Sequence, residues 1–340
     1  INDLALVLAS ITNSGPFGIC GASGTGIQHV AAILHECGSG ISQAIGTGGN
    51  DLKAPVGGLM MKMGIEVLDK DPETKYIILI SRKPAESVLP DVLKKIKACS
   101  KPVVVYFMGC EREIIEEAGG IYASTLDDCG IKALELIGKT FTVESGEEIH
   151  KMALDAVKGM AKSQKYLRGM YAGGTYMDEA MRVMEKEIGP VWSNAPLSED
   201  LRLKDSFVSQ GNCCVDYGEE EFTLGRPHPA IDPGARKMEI MREAKDPETA
   251  VIILDFILTP PGHPDPAGDI IPEIKRATEA AAAEGRKLVF IGCVLGTDAD
   301  IQNKALQVEK LRKAGVYMCK TNCTASLLAC EIVKLQGRNA

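Results

Sequence analysis

Apolar and polar positions along this chain alternate in two registers. Short runs such as Ile77-Ile78-Leu79-Ile80, Val103-Val104-Val105-Tyr106-Phe107-Met108, Val251-Ile252-Ile253-Leu254 and Leu288-Val289-Phe290-Ile291 are continuously apolar. Runs of that length and β-branched content predict strands buried on both faces. Between them lie longer stretches with apolar residues three and four apart. In one of these, Ile27, Val30, Ala31 and Leu34 should face a sheet, with Gln28, His29, His35 and Glu36 on the other side. Strands alternating with helices predict parallel α/β architecture.

The pattern occurs twice. Lys70-Asp71-Pro72-Glu73-Thr74 precedes one strand and Lys245-Asp246-Pro247-Glu248-Thr249 another. Ala118-Gly119-Gly120-Ile121-Tyr122 is echoed by Ala314-Gly315-Val316-Tyr317, and helices near 126–137 and 325–335 close the halves. Gly21-Ala22-Ser23-Gly24-Thr25-Gly26 heads a helix ending at Gly38, as Ala172-Gly173-Gly174-Thr175 heads one ending near Gly189. The expectation is two tandem, doubly wound, flavodoxin-like parallel-sheet domains of five strands each, rather than a single mixed sheet. The first spans 13–140 after an N-terminal segment 1–12. A helical connector covers 141–165, and the second domain spans 166–336. Residues 194–212 read as an irregular surface loop.

The two turns carry the first candidate chemistry. A helix start exposes unpaired N–H groups and a partial positive charge, and glycine lets an anion approach the backbone. Ser23, Gly24, Thr25 and Gly26 in one half, and Gly173, Gly174 and Thr175 in the other, are therefore phosphate-binding candidates. The first turn is not a Walker loop, since Ile27 stands where lysine is needed, and its glycines do not follow the dinucleotide spacing. Gly48, Gly49, Asn50 and Asp51 follow the next strand and are substrate-binding candidates. Counting back from the repeated Asp-Pro-Glu-Thr matches this loop to Leu224–Pro229. There Arg226 offers a bidentate anion grip and His228, fixed between prolines, an acid or base; both are catalytic candidates. His263 and the Ser81–Pro84 loop are further crevice candidates. His29, His35 and His150 are expected on helix surfaces, and Asp216 and Glu219–Glu221 as a solvated acidic edge.

Composition narrows the classes. The net charge of −8 argues against a general nucleic-acid binder. No apolar run approaches a membrane span and no secretory signal is visible, so a cytoplasmic protein is expected. Its first residue, Ile1, suggests a fragment or processed form. The 11 cysteines lie scattered, many in apolar runs, and suggest buried reduced thiols; no metal site is expected.

Gly21–Gly26, Gly46–Asp51 and Lys70–Thr74 resemble the second domain of the succinyl-CoA synthetase α subunit. The second half resembles the C-terminal domain of its β subunit. With Arg168–Thr175 and Gly225-Arg226-Pro227-His228-Pro229, the whole is similar to the FdrA-type acyl-CoA synthetase-like family. The resemblance implies that two helix starts, at Gly24-Thr25 and Gly174-Thr175, hold a phosphate at the two-domain interface. In the synthetases that phosphate is carried by a histidine in a long loop. Here Gly109–Ile114 runs directly into the next element without a histidine, so that relay is not expected. Nor is ATP binding by the chain alone, since no nucleotide-grasp domain is seen. Coenzyme A is expected only if an N-terminal CoA-binding domain is supplied. The resemblance thus implies an acyl phosphate or CoA thioester as substrate. Its alternatives are a carbamoyltransferase subunit using carbamoyl phosphate on oxamate in ureide breakdown, and a scaffold with a vestigial site. A small anionic substrate and a homo-oligomer or partner subunits are implied.

Overall fold

The computed structural model describes residues 9–339, so the expected N-terminal segment lies outside the described residues as far as residue 8. The chain forms two compact units, divided between Thr142 and Val143.

The first unit runs β1 (Ser14–Gly21), α1 (Gly24–Glu36), β2 (Ile41–Gly46), α2 (Leu59–Lys70), β3 (Tyr76–Arg82), α3 (Leu89–Ala98), β4 (Val103–Met108), α4 (Arg112–Glu117), β5 (Ile121–Tyr122) and α5 (Leu126–Glu135). Its parallel sheet has the order β2-β1-β3-β4-β5. That is the flavodoxin-like order, in which the chain reverses direction beside the first strand and leaves a crevice at the strand ends. All six residues of β4 are buried, as a strand covered by helices on both faces requires.

The second unit runs α6 (Gly146–Ala156), β6 (Tyr166–Tyr171), α7 (Gly174–Ile188), β7 (Trp192–Ser193), β8 (Cys213–Asp216), α8 (Glu220–Thr223), α9 (Gly234–Glu243), β9 (Thr249–Ile257), α10 (Pro266–Ala283), β10 (Val289–Leu295), α11 (Lys304–Lys313), β11 (Tyr317–Cys319) and α12 (Asn322–Asn339). The sheet order is β11-β10-β9-β6-β8-β7, all parallel. Five of these strands repeat the first unit's order. The sixth, β7, corrects the expected five: a two-residue strand from the 190s adds to the edge of β8. Asn194 extends this edge, since its side chain accepts from Asp216 N and donates to Asp216 O. The segment expected as loose surface loop is thus anchored at its start.

The connector helix α6 is started by a capping box, Ser145 with Glu148, and packs in the second unit. His150 on it pairs with Glu331 of α12 at 2.7 Å, and Tyr317 of β11 donates to Asp155 at 2.8 Å. The core of this unit centres on β9 and β10, buried along their whole lengths. Each fully buried isoleucine there contributes about 1.5–3 kcal/mol.

Two expectations about α1 are corrected. Gln28 and His29 are buried, not on an outer face. His29 Nε2 lies 2.8 Å from Asp127 Oδ1, in the first turn of α5. Helix α5 covers the face of α1 that a simple amphipathic pattern assigns to solvent.

Candidate functional site

In the first unit, the turn between β1 and α1 sits at the carboxyl end of β1. Ser23 is the N-cap, and its hydroxyl accepts from Gly26 N at 2.8 Å. The Gly24 and Thr25 amides and the Thr25 hydroxyl have no partner among the described residues. A Cβ added at Gly24 would meet nothing within 4 Å. Thr47 follows β2 and donates its N–H to Gly21 O at 2.8 Å. Its buried hydroxyl has no hydrogen-bond partner among the described residues. A buried hydroxyl without a partner is costly, so it marks a place where a ligand atom or water belongs. Thr47 lies inside the Gly46–Asp51 motif, yet its own role was not signalled there.

Gly48, Gly49 and Asn50 are exposed beyond this turn. Asp51 is corrected. It is buried, and its two carboxylate oxygens accept from Met60 N and Met61 N, both at 2.9 Å. Its charge is committed to the first turn of α2, whose own N-cap, Gly58, has no side chain to offer.

The second unit builds its turn differently. Gly173 is the N-cap of α7 and carries no capping side chain. Asp255, near the carboxyl end of β9, instead anchors the backbone that leads into the helix. Its carboxylate accepts from Ala172 N at 2.7 Å and Gly173 N at 2.8 Å. Arg236 on α9 donates to Asp255 Oδ1 at 3.0 Å and to its backbone oxygen at 2.7 Å. Asp255 is 0% and Arg236 2% exposed. Burial pushes the Asp255 carboxyl above its usual range, against the pull of Arg236 and the two amides.

Asp216 closes the turn from the other side. It ends β8 beside Tyr171, as Gly46 ends β2 beside Gly21. This corrects the equivalence drawn from the sequence: the counterpart of the Gly46 loop begins at Asp216, and the Arg226–His228 segment lies beyond α8. It also corrects Asp216 as a solvated edge, since it is buried. A Cβ at Gly174 would fall 2.3 Å from Asp216 Oδ2, so glycine is required for that approach. Around Gly218, the place of a Cβ is ringed by Ala172 O, Asp216 Oδ1 and His228 Nε2 at 3.0–3.1 Å.

His228 is therefore brought to the Gly173-Gly174 turn through Asp216 and Gly218. Its Nδ1 accepts from Ala230 N at 3.2 Å, which fixes the neutral ring with its proton on Nε2. Burial lowers its pKa, Asp255 raises it and Arg236 lowers it further. Arg226 is not brought to the same place. It is exposed and lines a groove with Tyr217, Phe222 and Met238 that His228 does not line. His263 is tied into the backbone near Ala230, accepting from Asp265 N through Nδ1. Asp255 and Arg236 were missed in sequence. The one signal was an acidic residue inside the apolar run Val251–Leu258.

The cysteines are free, and burial pushes Cys20 and Cys330 up to about 12. Among the described residues no group of three His, Cys, Asp or Glu side chains is placed to hold a metal ion. Among them, too, no helix is long and apolar enough to cross a membrane.

Comparison with known proteins adds to this geometry. Residues 170–332 match the CoA-ligase family and residues 12–109 the CoA-binding domain family. "Uncharacterized protein YahF" of Escherichia coli (strain K12) is 41% identical over 334 residues, 98% of this chain and 65% of that protein. Both units are thus similar to proteins of the succinyl-CoA synthetase-like, acyl-CoA synthetase-like kind. Among other similar proteins, the succinate–CoA ligase [ADP-forming] α subunit of Aquifex aeolicus is 36% identical over 101 residues, 29% of this chain and 31% of that subunit. The malate–CoA ligase α subunit of Methylorubrum extorquens is 29% identical over 135 residues, 38% and 44% of the two chains. The chain spans less than two thirds of the length of each of these relatives. The expectation that a CoA-binding domain lies wholly outside these residues is revised, because the CoA-binding family match falls on the first unit itself. That unit keeps the flavodoxin-like strand order.

Proposed function

We propose that this acyl-CoA synthetase-like chain handles an acyl phosphate or CoA thioester, and that the phosphoryl group binds at the first unit's turn. The observation that carries this reading is the open helix start at Gly24-Thr25 with the orphaned Thr47 hydroxyl beside the turn. The amides of Gly24 and Thr25 and the α1 dipole stabilise negative charge there, as backbone donors do where charge develops on an oxygen. The second unit's turn plays a different part. Asp216 and Asp255 already neutralise it, so a free phosphate is not its natural ligand; His228, neutral and carrying its proton on Nε2, moves protons there.

A second reading is favoured by the connection between β4 and α4. It is three residues long, Gly109-Cys110-Glu111, and holds no histidine. Direct transfer from an acyl phosphate needs no phosphohistidine, so a carbamoyltransferase subunit using carbamoyl phosphate, as the FdrA-type resemblance implies, fits the same turn. Coenzyme A, partner subunits and a cytoplasmic setting belong to this proposal too.

The test is a thermal-shift titration with phosphate, carbamoyl phosphate, CoA, acetyl-CoA and ATP. A ligand at about 100 times its Kd stabilises by about 2.7 kcal/mol. For a unit of this size that is a rise of roughly 8 °C. The expected result is a rise with phosphate or carbamoyl phosphate that Thr25→Val and Thr47→Val each reduce. Silence with all five ligands would remove the phosphate reading and leave a scaffold.

A further inference from the structure

The groove beside Arg226 lies in the second unit and takes no part in the turn just described. Its volume is about 310 Å³, and Tyr217, Phe222, Pro227, Pro229, Ala235 and Met238 make most of its wall. This is the size and apolar character of a small-molecule site. The Tyr217 and Phe222 rings pack 4.7 Å apart, so that wall is firm.

Two opposite charges line the same groove, Arg226 and Asp232. They make no ion pair with one another. The Arg226 side chain has no partner among the described residues; its backbone N–H, bonded to Thr223 O at 3.0 Å, fixes where the side chain leaves the loop. Asp232 Oδ1 accepts from Gly234 N at 2.9 Å, at the start of α9, which leaves Oδ2 open. Pro227, Pro229 and Pro233 stiffen the backbone around both charges. Both line one groove whose floor is apolar.

We infer that this groove binds a small zwitterion, a molecule that carries a carboxylate and an ammonium on one carbon beside an apolar body, as in an apolar α-amino acid. The Arg226 guanidinium grips the carboxylate with two parallel N–H donors. Asp232 Oδ2 accepts from the ammonium. The apolar body lies against Tyr217, Phe222 and Met238, the last of which is 58% exposed. A ligand with only one of the two charges makes only one of the two charged contacts and binds less well. The groove shares the Pro227–Pro229 segment with His228, so its occupant is coupled to the position of that ring.

The experiment is isothermal titration of the chain with L-leucine, 4-methylpentanoate and isopentylamine. The two analogues keep the leucine skeleton and lack its ammonium or its carboxylate, respectively. The expected result is saturable binding of L-leucine, with both single-charge analogues at least about tenfold weaker, and a loss of about tenfold or more in each of Arg226→Gln and Asp232→Asn. Both substituted residues are exposed, so an unchanged melting temperature shows that the variants fold. No saturable heat with L-leucine, equal binding by both variants and the parent, or 4-methylpentanoate binding as tightly as L-leucine would each overturn the inference. None of these outcomes bears on phosphate binding at Gly24, which is read by its own titration.

Discussion

Asp255→Asn is the sharpest test of how the second unit's turn is built. Asp255 carries three donors: the Ala172 and Gly173 amides and the Arg236 guanidinium. Asparagine keeps the shape but turns one acceptor into an N–H₂ group that faces a donor, and it leaves Arg236 charged, 2% exposed and without its counter-charge. Breaking a buried pair from one side costs about 3–5 kcal/mol, because an uncompensated charge remains. For a unit of about 200 residues this lowers the melting temperature by roughly 10 °C. Urea denaturation gives the energy directly, with the slope as a check that the unfolded state is unchanged. Arg236→Met alone leaves Asp255 held by two amides and costs less. The double variant should cost clearly less than the sum of the single ones, since neither charge then remains. A loss below about 1 kcal/mol for Asp255→Asn, or strict additivity in the cycle, would refute the idea that the pair and the turn are one unit.

The two glycine turns should respond oppositely to alanine: Gly24→Ala meets open space and stays within about 0.5 kcal/mol of the parent, while Gly174→Ala drives against Asp216 and costs about 1–3 kcal/mol, as thermal unfolding will show. Asp51→Ala removes the acceptor for the first turn of α2 and should lower stability by about 1 kcal/mol in urea. His228 gives a pH signature. Its folded-state pKa is lowered from 6.5, so the unfolded chain binds the proton more readily; stability is full above that value and is lost as pH falls through it. His228→Gln should therefore flatten the fall in stability between about pH 7.5 and pH 5.5, and an unchanged slope would count against the buried neutral ring.

Much of the fold was legible because strand burial writes itself into composition. Val103–Met108 and Val251–Leu254 announce covered parallel strands, and the repeated Asp-Pro-Glu-Thr segments set the two halves in register. What stayed hidden depends on which element lands on which. Helix α5 covers His29, and no periodicity within α1 predicts the partner at Asp127. Asp216 looked solvated because Glu219–Glu221 follow it; β7 and Asn194 seal it from the side. The counting that paired Arg226–His228 with the Gly46 loop failed because α8 and the loop around it insert length between β8 and β9. Of the candidate residues, Ser23 and the two glycine turns lie at the starts of α1 and α7. Asp51 does not, because a carboxylate near an uncapped helix start is drawn into it.

The two units hold the backbone around their glycine turns by different means, and that difference reaches into how the chain folds. Ser23 holds Gly26 across three residues, so the start of α1 can assemble as soon as that stretch leaves the ribosome. Asp255 reaches the amides before α7 across more than 80 residues. The backbone leading into α7 is therefore fixed only when β9 has been made and laid beside β6, and closing so long a loop slows that step. Nascent chains halted before residue 255 should show a finished first turn and an unfinished second one, so the second unit's chemistry becomes available last.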